Sequence, residues 1–285
     1  MEQLTLQGLF PVTALCQTLE VSRAGFYAWC NEAESARARR DRELLPLVRD
    51  LFWRHKRRYG ARRIAVELAA RGRPCGVDRA AKLLKIQGLR AIQPKSFVPK
   101  TTDSRHALGY SPNLLATAPP PVRVNQVWVA DITYIPLKEN GFAYLALTLD
   151  LYSRRVVGWE LAEQMTEFLV LEAIHQAIRG RQPMPGLIHH SDRGGQYAGH
   201  RYRAVLRRAA IRQSMSRAAN CYDNAFMESC FGTIKTELEM TEYDNCPQAR
   251  GDIARYLAYY NTERRHSSLN YLSPAQFETQ LPHSI

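Results

Sequence analysis

Three acidic residues stand in sequence patterns that could bring them together in one site: Asp131, Asp192 and Glu228. Asp131 interrupts the apolar strand pattern WVADITYI, where a buried carboxylate is costly unless it is paired, protonated or bound to a metal ion. Asp192 follows a short apolar strand and precedes the glycine pair of DRGGQY, a position where α/β sheets hold site residues. Glu228 lies in a helical pattern, on a polar face that it shares with Asn224 and Lys235.

Carboxylate oxygens from three separate elements are the ligands that hard divalent cations prefer. The set predicts Mg²⁺, for which Mn²⁺ can substitute. Two such ions would activate an attacking oxygen and stabilise a leaving one, which is the chemistry of phosphoryl transfer. Most acidic residues of a chain of 285 residues are solvated. Whether these three form one site therefore depends on the elements that hold them and on their spacing.

The carboxylates lie in a region where strand and helix patterns alternate. Strands are predicted over 127–137, 142–149, 155–161, 186–190 and 211–215, and helices over 166–179, 196–210 and 222–240. Three antiparallel strands followed by alternating helices and short strands resemble the element order of a ribonuclease H-like α/β fold. Periodicity alone does not determine that topology.

Basic charge is concentrated in the first two-fifths of the chain. The formal net charge is +12; residues 1–121 hold 21 Lys or Arg against 10 Asp or Glu, and residues 122–285 hold 18 against 17. This division indicates a polyanion-binding module joined to a near-neutral one, although basic charge also serves solubility. The run Ala118-Pro119-Pro120-Pro121 predicts an extended linker, and we expect DNA affinity to reside before it.

The basic part reads as helical throughout. Helices over 12–20 and 22–30, the second capped by Ser22, fit a helix-turn-helix or a pair of helices that pack only for stability. Helices over 44–53, 61–71 and 76–86 form a clearer helix-turn-helix. Arg79, Lys82 and Lys85 share roughly one face of the last helix and are predicted to contact DNA, unless that face is merely solvated.

Several other protein classes are disfavoured. No apolar run approaches the roughly 18–20 residues that span a bilayer, and the N-terminus lacks the pattern of a secretory signal. The six cysteines form no CxxC pair, so we expect reduced, buried thiols in a cytoplasmic protein and no structural zinc site.

Sixty residues separate Asp131 from Asp192, and 35 separate Asp192 from Glu228, in the motifs WVADITYI, HHSDRGGQY and NCYDNAFMESCFGTIKTE. These motifs resemble the DDE transposase and retroviral integrase superfamily. Within it, the chain is similar to the second-frame transposase of bacterial insertion sequences that carry two overlapping reading frames. YGARRIAVELAARG, TTDSRHALGYSPNLL and YYNTERRHSSLNYLSPAQF resemble further parts of that family, so the resemblance covers about residues 10–278.

The resemblance implies a metal-dependent DNA transposase that cleaves and joins strands at insertion-sequence ends. Asp131, Asp192 and Glu228 match the catalytic acids that bind Mg²⁺, and Lys235 matches the basic residue seven positions after the glutamate. Asn224 is a further expected DNA contact. Seven residues are about two helical turns, or about 10.5 Å along one face. The sequence departs from the family pattern at Ala219 and Cys230, neither of which touches the acids.

The expected partners are double-stranded DNA, as element ends and as target, and further copies of the chain in a homo-oligomer on DNA. The resemblance also implies a fusion with an upstream-frame product that carries another helix-turn-helix and a coiled coil. No membrane partner is expected, and the predicted location is the bacterial cytoplasm, associated with the nucleoid. The predicted domains are a helix-turn-helix-like segment (1–40), a helix-turn-helix domain (41–95), a linker (96–121) and an integrase-like core with C-terminal helices (122–285).

Three rival functions remain open on the sequence. A ribonuclease H-like nuclease would only hydrolyse DNA, and a DNA-binding regulator would carry an idle core. A Ser-His-Asp hydrolase built from His189 or His190, Ser191 and Asp192 is geometrically poor, because adjacent strand residues point to opposite faces. Arg264, Arg265 and His266 contact DNA or form a solvated loop, and Ser273 is predicted to cap a final helix.

Overall fold

The structure, a computed structural model of the chain, describes residues 10–30, 35–93, 109–138, 141–216, 225–239 and 242–281. These residues fall into two compact units that divide between Ala91 and Ile92. Among them, no helix is both long and apolar enough to cross a membrane.

The first unit is helical, as predicted. Its helices are α1 (Val12–Thr18), α2 (Arg23–Cys30), α3 (Ala36–Arg54), α4 (Ala61–Ala70) and α5 (Val77–Ile86). The side chain of Ser22 accepts a hydrogen bond from the amide of Gly25 at 2.9 Å, as expected of an N-cap. Helices α3, α4 and α5 pack together around a shared apolar core. Helix α4 ends at Ala70, and Gly72 lies in the turn that follows it. The φ of Gly72 is 72°, in the left-handed region that favours glycine.

Helix α3 is longer than its predicted range. It begins at Ala36, where the Ser35 hydroxyl accepts a hydrogen bond from the amide of Ala38 at 3.1 Å. Pro46 lies inside the helix. A proline removes one backbone hydrogen bond, but the buried residues Leu44, Val48 and Leu51 continue the packed stripe across it. Tertiary packing therefore carries the helix through a residue that usually ends one.

The second unit is a mixed sheet with helices on both faces. Its strands are β1 (Val127–Leu137), β2 (Gly141–Asp150), β3 (Val156–Ala162), β4 (Ile188–Ser191) and β5 (Arg212–Met215). The five-stranded sheet has the order β3-β2-β1-β4-β5. β1, β2 and β3 pair antiparallel, while β4 pairs parallel with β1, and β5 with β4. This topology confirms the ribonuclease H-like prediction.

The helices of this unit are α6 (Glu167–Arg181), α7 (Gly195–Ala198), α8 (His200–Arg208), α9 (Ala225–Glu237), α10 (Cys246–Thr262) and α11 (Pro274–Thr279). Helices α9 and α10 bury their apolar residues against one face of the sheet. Helices α6, α7 and α8 cover the other face. The close approach of α6 depends on Gly158, where an added Cβ would lie 2.1 Å from the carbonyl oxygen of Ala173.

Two predicted helices have different bounds. The range 196–210 is two helices, α7 and α8, because Gly199 takes an extended conformation with ψ of 147°. The carboxylate of Glu167 occupies the space beside Gly199 and accepts a hydrogen bond from the amide of Tyr202. The range 222–240 contains α9, with residues 222–224 and 240 outside the described part of the chain.

Residues 109–116, in the predicted linker, lie along the edge of the sheet at β5. The carbonyl of Pro112 accepts from the amide of Met215 at 3.4 Å, and the amide of Leu114 donates to the Ser214 hydroxyl at 2.9 Å. The Ser111 hydroxyl donates to the side chain of Gln213 at 2.8 Å. This segment therefore covers an edge strand that would otherwise expose unpaired backbone groups.

The described cysteines Cys16, Cys30, Cys75, Cys230 and Cys246 are free thiols. Of these five, Cys16 and Cys230 are buried, and the expectation of buried thiols is wrong for the other three. Burial raises the pKa of the Cys230 thiol to about 11. This thiol is therefore protonated and unreactive at neutral pH.

Candidate active site

The parallel pairing of β1 and β4 brings the two aspartates together. Val127 pairs with Ile188, and Val129 pairs with His190. Continuing this register by two residues sets Asp131 beside Asp192, just beyond the last residue of β4. Because neighbouring strands are about 4.8 Å apart, a separation of sixty residues in sequence becomes adjacency between the middle of β1 and the carboxyl end of β4.

Local backbone groups orient both carboxylates. Oδ1 of Asp131 accepts a hydrogen bond from the amide of Ile132 at 2.8 Å. Oδ1 of Asp192 accepts one from the amide of Gly194 at 2.9 Å. A Cβ at Gly194 would lie 3.1 Å from that same oxygen, so a side chain there would crowd the carboxylate. Gly194 thus allows the tight turn that holds the acid.

Helix α9 carries the third acid and packs on the face of the sheet that bears Val127 and Val129. Its buried stripe of Met227, Phe231 and Ile234 packs in the core cluster that contains Val127 and Val129 of β1. Glu228 is exposed in the first turn of the helix. Its carboxylate therefore remains accessible to a ligand from solvent.

Lys235 lies in the last turn of α9 and is half-buried. Its ammonium nitrogen is 4.8 Å from the ring centroid of Tyr134 on β1. The Tyr134 ring in turn meets Phe142 edge to face, with centroids 5.5 Å apart. The lysine is therefore held over an aromatic ring beside the acids by a cation–π contact.

Electrostatics tie these four side chains into one cluster. The pKa of Asp131 is raised well above its usual range, chiefly by burial and also by the negative charges of Asp192 and Glu228. The ammonium of Lys235 acts in the opposite direction on the pKa of Asp131. Burial lowers the pKa of Lys235, and the attraction of Asp131 partly offsets this effect. The site therefore holds more negative charge than its one lysine balances.

The carboxylates do not close into a metal cage on their own. Among the described residues, no three His, Cys, Asp or Glu side chains are gathered closely enough to surround an ion. Like charges that share a site repel one another. The donor chemistry nevertheless suits a hard cation, because all three side chains are carboxylates and such an ion can take one or two of them together with water and phosphate oxygens.

Comparison with known proteins decides the family. Residues 121–221 and 209–274 each match an integrase core domain family, and residues 39–97 match an HTH-like domain family. The chain is 42% identical to the insertion element IS600 uncharacterized 31 kDa protein of Shigella sonnei, over 92% of this chain and 97% of that protein. It is 39% identical to the transposase InsF for insertion sequence IS3A of Escherichia coli (strain K12), over 96% of each.

The chain belongs to the IS3-type transposase family. Among solved structures, it is similar to a chain in the cryo-EM structure of the simian T-cell lymphotropic virus intasome in complex with PP2A regulatory subunit B56 gamma. That similarity has a TM-score of 0.49 at 20% identity, and it covers 78% of this chain and 72% of the other.

The predicted DNA contacts of this transposase fall into different environments. Lys82 and Lys85 are exposed on α5. Arg79 instead donates to Asp41 at 2.6 Å and to the carbonyl of Arg37 at 2.9 Å, so its guanidinium links α5 to α3. Asn224 lies outside the described residues. On α5, the side chains of Lys82 and Lys85 are therefore exposed, whereas the Arg79 guanidinium is engaged within the unit.

The hydrolase alternative has no support in the hydrogen bonding. The hydroxyl of Ser191 donates to the backbone carbonyl of Asp192 at 3.0 Å. Nδ1 of His190 bonds the Ser214 hydroxyl at 2.8 Å, and Nε2 of His189 bonds the Tyr202 hydroxyl at 3.0 Å. These hydrogen bonds tie β4 to β5 and to α8, and they do not assemble a nucleophile with a base.

The loop expected to contact DNA or solvent at Arg264–His266 is largely interior. Arg264 and His266 are buried, and Arg265 donates to the carbonyl of Tyr271 at 2.9 Å. Both interpretations are therefore wrong for Arg264 and His266, because the chain turns inward at the end of α10. Ser273 caps α11 in a capping box with Gln276, as predicted.

Sequence reasoning missed two residues beside the cluster and one at the far end of α9. Tyr134 lies three positions after Asp131 and reaches Lys235. Tyr197 is fully buried, and its pKa is raised well above its usual range by burial and, in part, by Asp131 and Asp192. Glu237 ends α9 as a buried acid. An aromatic residue close to a catalytic-type acid, or an acid on the apolar side of a helix, is the signal that could have identified them.

Proposed function

We propose that this transposase catalyses metal-dependent cleavage of DNA at insertion-sequence ends, followed by transfer of the freed strand. The observation that carries the proposal is the β1–β4 register, which sets Asp131 beside Asp192 on two neighbouring interior strands. Helix α9 adds Glu228 and Lys235 to the same cluster. Carboxylate oxygens are ligands that Mg²⁺ prefers, and a lysine ammonium is a point-charge ligand for phosphate.

Mg²⁺ fits the donor set because every proposed ligand atom is a carboxylate oxygen. Asp131, Asp192 and Glu228 would hold the metal, with Mn²⁺ as a substitute and two ions as the predicted number. When bound, such ions supply Lewis-acid stabilisation of the attacking and leaving oxygens.

The chain's own residues supply placement. The amides of Ile132 and Gly194 fix the orientation of the Asp131 and Asp192 carboxylates. Lys235 presents a point charge for a backbone phosphate. In the first step, water replaces the 3′ oxygen at one phosphorus atom and leaves a 3′-hydroxyl on the element end. In the second, that hydroxyl oxygen attacks a target phosphodiester and displaces the target's own 3′ oxygen.

End recognition belongs to the first unit under this proposal. The HTH-like match over residues 39–97 and the exposed Lys82 and Lys85 support it. A homo-oligomer on DNA, a fusion with an upstream-frame product and an association with the bacterial nucleoid in the cytoplasm stay predictions.

The test is a strand-transfer assay with the full chain, a duplex carrying an insertion-sequence end, a target duplex and Mg²⁺. Joined products are expected. Cut but unjoined products would favour the hydrolytic nuclease, and binding without cleavage would favour the regulator.

The variants Asp131→Asn, Asp192→Asn and Glu228→Gln are expected to abolish both nicking and joining while leaving end binding intact. Each keeps the side-chain shape and removes a charge that the cation needs. Their effects should not add, because the acids act as one unit. Glu239→Gln removes an exposed acid just beyond the same helix and is the matched control. Substantial joining by any of the three variants would remove that residue from the site.

A further inference from the structure

Helix α9 is held at its far end by a buried ion pair with the segment after α10. Arg264 donates from Nε to both Glu237 carboxylate oxygens at 3.0 Å, and from a terminal nitrogen to Oε1 at 2.8 Å. Each side chain is only 7% exposed. The Tyr256 hydroxyl of α10 donates to the same carboxylate at 3.1 Å.

The arginine is itself packed into α10. Its guanidinium carbon is 5.5 Å from the Tyr260 ring centroid, and its amide donates to the carbonyl of Tyr259 at 2.9 Å. Burial acts to lower the pKa of Arg264, but attraction to Glu237 outweighs it, so the pKa is raised. Arg264 is therefore a fixed cation just after α10, and it forms an ion pair with Glu237, the last residue of α9.

Directional hydrogen bonds restrict the sliding and rotation of a helix whose other contacts are apolar. The contacts of Met227, Phe231 and Ile234 with the sheet are non-directional, so they tolerate small sliding or rotation of α9. The hydrogen bonds from the Arg264 guanidinium to both Glu237 carboxylate oxygens do not tolerate such sliding or rotation, because they depend on direction. Glu237 lies two residues after Lys235 and nine after Glu228, about 13.5 Å along a rigid helix. Any shift at Glu237 is transmitted to both.

We propose that Arg264 is a positioning residue that, through Glu237, sets the axial position and rotation of α9 so that Glu228 and Lys235 face Asp131 and Asp192. This inference rests on the proposed function of those four residues. This role for Arg264 differs from both interpretations that the sequence offered for the segment ERRHSSL, namely a DNA contact and a solvated loop.

The first test compares two arginine-to-lysine variants. Arg264→Lys keeps the charge and loses the fork. Arg181→Lys does the same to the pair of Arg181 with Glu278, which is bidentate at 2.8 Å and ties α6 to α11 without touching α9. We expect both variants to lower the melting temperature. Only Arg264→Lys should lower the maximal strand-transfer rate, by about tenfold or more, with end binding unchanged.

Measurements are made well below both melting temperatures, with saturating end duplex. Equal rate losses for the two variants would overturn the positioning role and leave a purely stabilising one. A loss confined to end binding would also overturn it, since α9 would then be placed correctly.

A second variant covers the case in which Arg264→Lys does not fold. The pair Glu237→Met with Arg264→Met removes both charges together, which buried ion pairs often tolerate. A folded double variant with a strand-transfer rate at least tenfold lower supports the proposal. A folded double variant with the wild-type rate overturns it.

A readout without catalysis separates this proposal from the proposed function. Mg²⁺ should raise the melting temperature of the wild type and of Arg181→Lys, and raise that of Arg264→Lys much less. If the wild type shows the Mg²⁺ shift but no joined products, the proposed function fails and the shift still tests Arg264. If the wild type shows neither, both proposals fail.

Discussion

A lysine close to a buried carboxylate is expected to pair with it, yet the ammonium of Lys235 lies over the ring of Tyr134. Burial lowers its pKa while Asp131 acts to raise it. The ring attracts the ammonium without neutralising it, so the positive charge stays available to a phosphate. The Tyr134 ring thus holds the Lys235 ammonium near Asp131 without neutralising its charge.

Replacing Lys235 should impair DNA placement and leave metal binding intact. Lys235→Ala is expected to slow strand transfer by about tenfold or more, and Lys235→Arg should restore part of the rate. The defect should shrink at low salt, where the other phosphate contacts strengthen. It should not respond to Mg²⁺ or Mn²⁺ concentration.

The control for this lysine is Lys138→Ala, which removes an exposed cation paired with Asp244 on the same unit. Tyr134→Leu should give a smaller loss than Lys235→Ala, since only the cation–π contact disappears. Wild-type rates for Lys235→Ala at every salt concentration would exclude the placement role.

His189 should make the folded state sensitive to acid. It is fully buried, and burial lowers its pKa to about 3, against an ordinary value of 6.5. Between these values the unfolded chain binds more protons than the folded one, so stability falls as pH falls. The expected loss is about 2 kcal/mol between pH 7 and pH 5.

The measurement is urea unfolding across that pH range. His189→Gln, which cannot titrate, should flatten the dependence, whereas His175→Gln at a more exposed position on α6 should not. An unchanged slope for His189→Gln would mean that other groups produce the acid sensitivity.

At the scale of elements, α9 combines an apolar face for the sheet with an open face for a ligand. Gly232 lies between Glu228 and Lys235, and an added Cβ there would meet nothing within 4 Å. We expect DNA to run along the face that bears these two residues. A small residue between them leaves that face unobstructed.

Gly232→Ala is expected to stabilise the fold by about 0.5–1 kcal/mol, because alanine loses less backbone entropy in a helix than glycine. Gly158→Ala is the contrasting control. Its Cβ would lie 2.1 Å from a carbonyl oxygen of α6, so the same substitution should destabilise strongly. Denaturant unfolding measures both, and destabilisation by Gly232→Ala would show that this face is not open.

At the scale of the whole molecule, most of the excess basic charge and the carboxylate cluster lie in different units. Residues 1–91 hold 18 Lys or Arg against 9 Asp or Glu, and the carboxylate cluster lies in the second unit. A fragment that starts at Val122 is a poor test of this separation. It would remove residues 109–116, which cover the β5 edge.

Charge removal in the full chain tests the separation better. Lys82→Gln with Lys85→Gln should weaken end binding and reduce its salt slope by about two. Arg207→Gln with Arg208→Gln removes the same charge from the last turn of α8 in the second unit and should have a smaller effect. Equal losses would indicate that DNA binding is spread over both units.

The sequence alone determined the features that local pattern controls. Alternating apolar residues predicted β1 over 127–137, and the structure has Val127–Leu137. Cap residues and glycines predicted α5 and its end at Gly88, and Ser273 predicted the start of α11. Asp131, Asp192 and Glu228 indicated the family because each stands in a short local motif, and the distances between these motifs are counted directly in the sequence.

The tertiary structure decided everything that depends on contacts between distant residues. Pro46 does not end α3, because packing outweighs local propensity, and Arg79 is engaged by Asp41, 38 positions away. Arg264 lies in a basic run that reads as a surface loop, yet it is buried against Glu237. A side chain's charge is visible in sequence. Whether that charge meets water, an acid or a phosphate is set by which distant elements fold against it, and local periodicity does not contain that information.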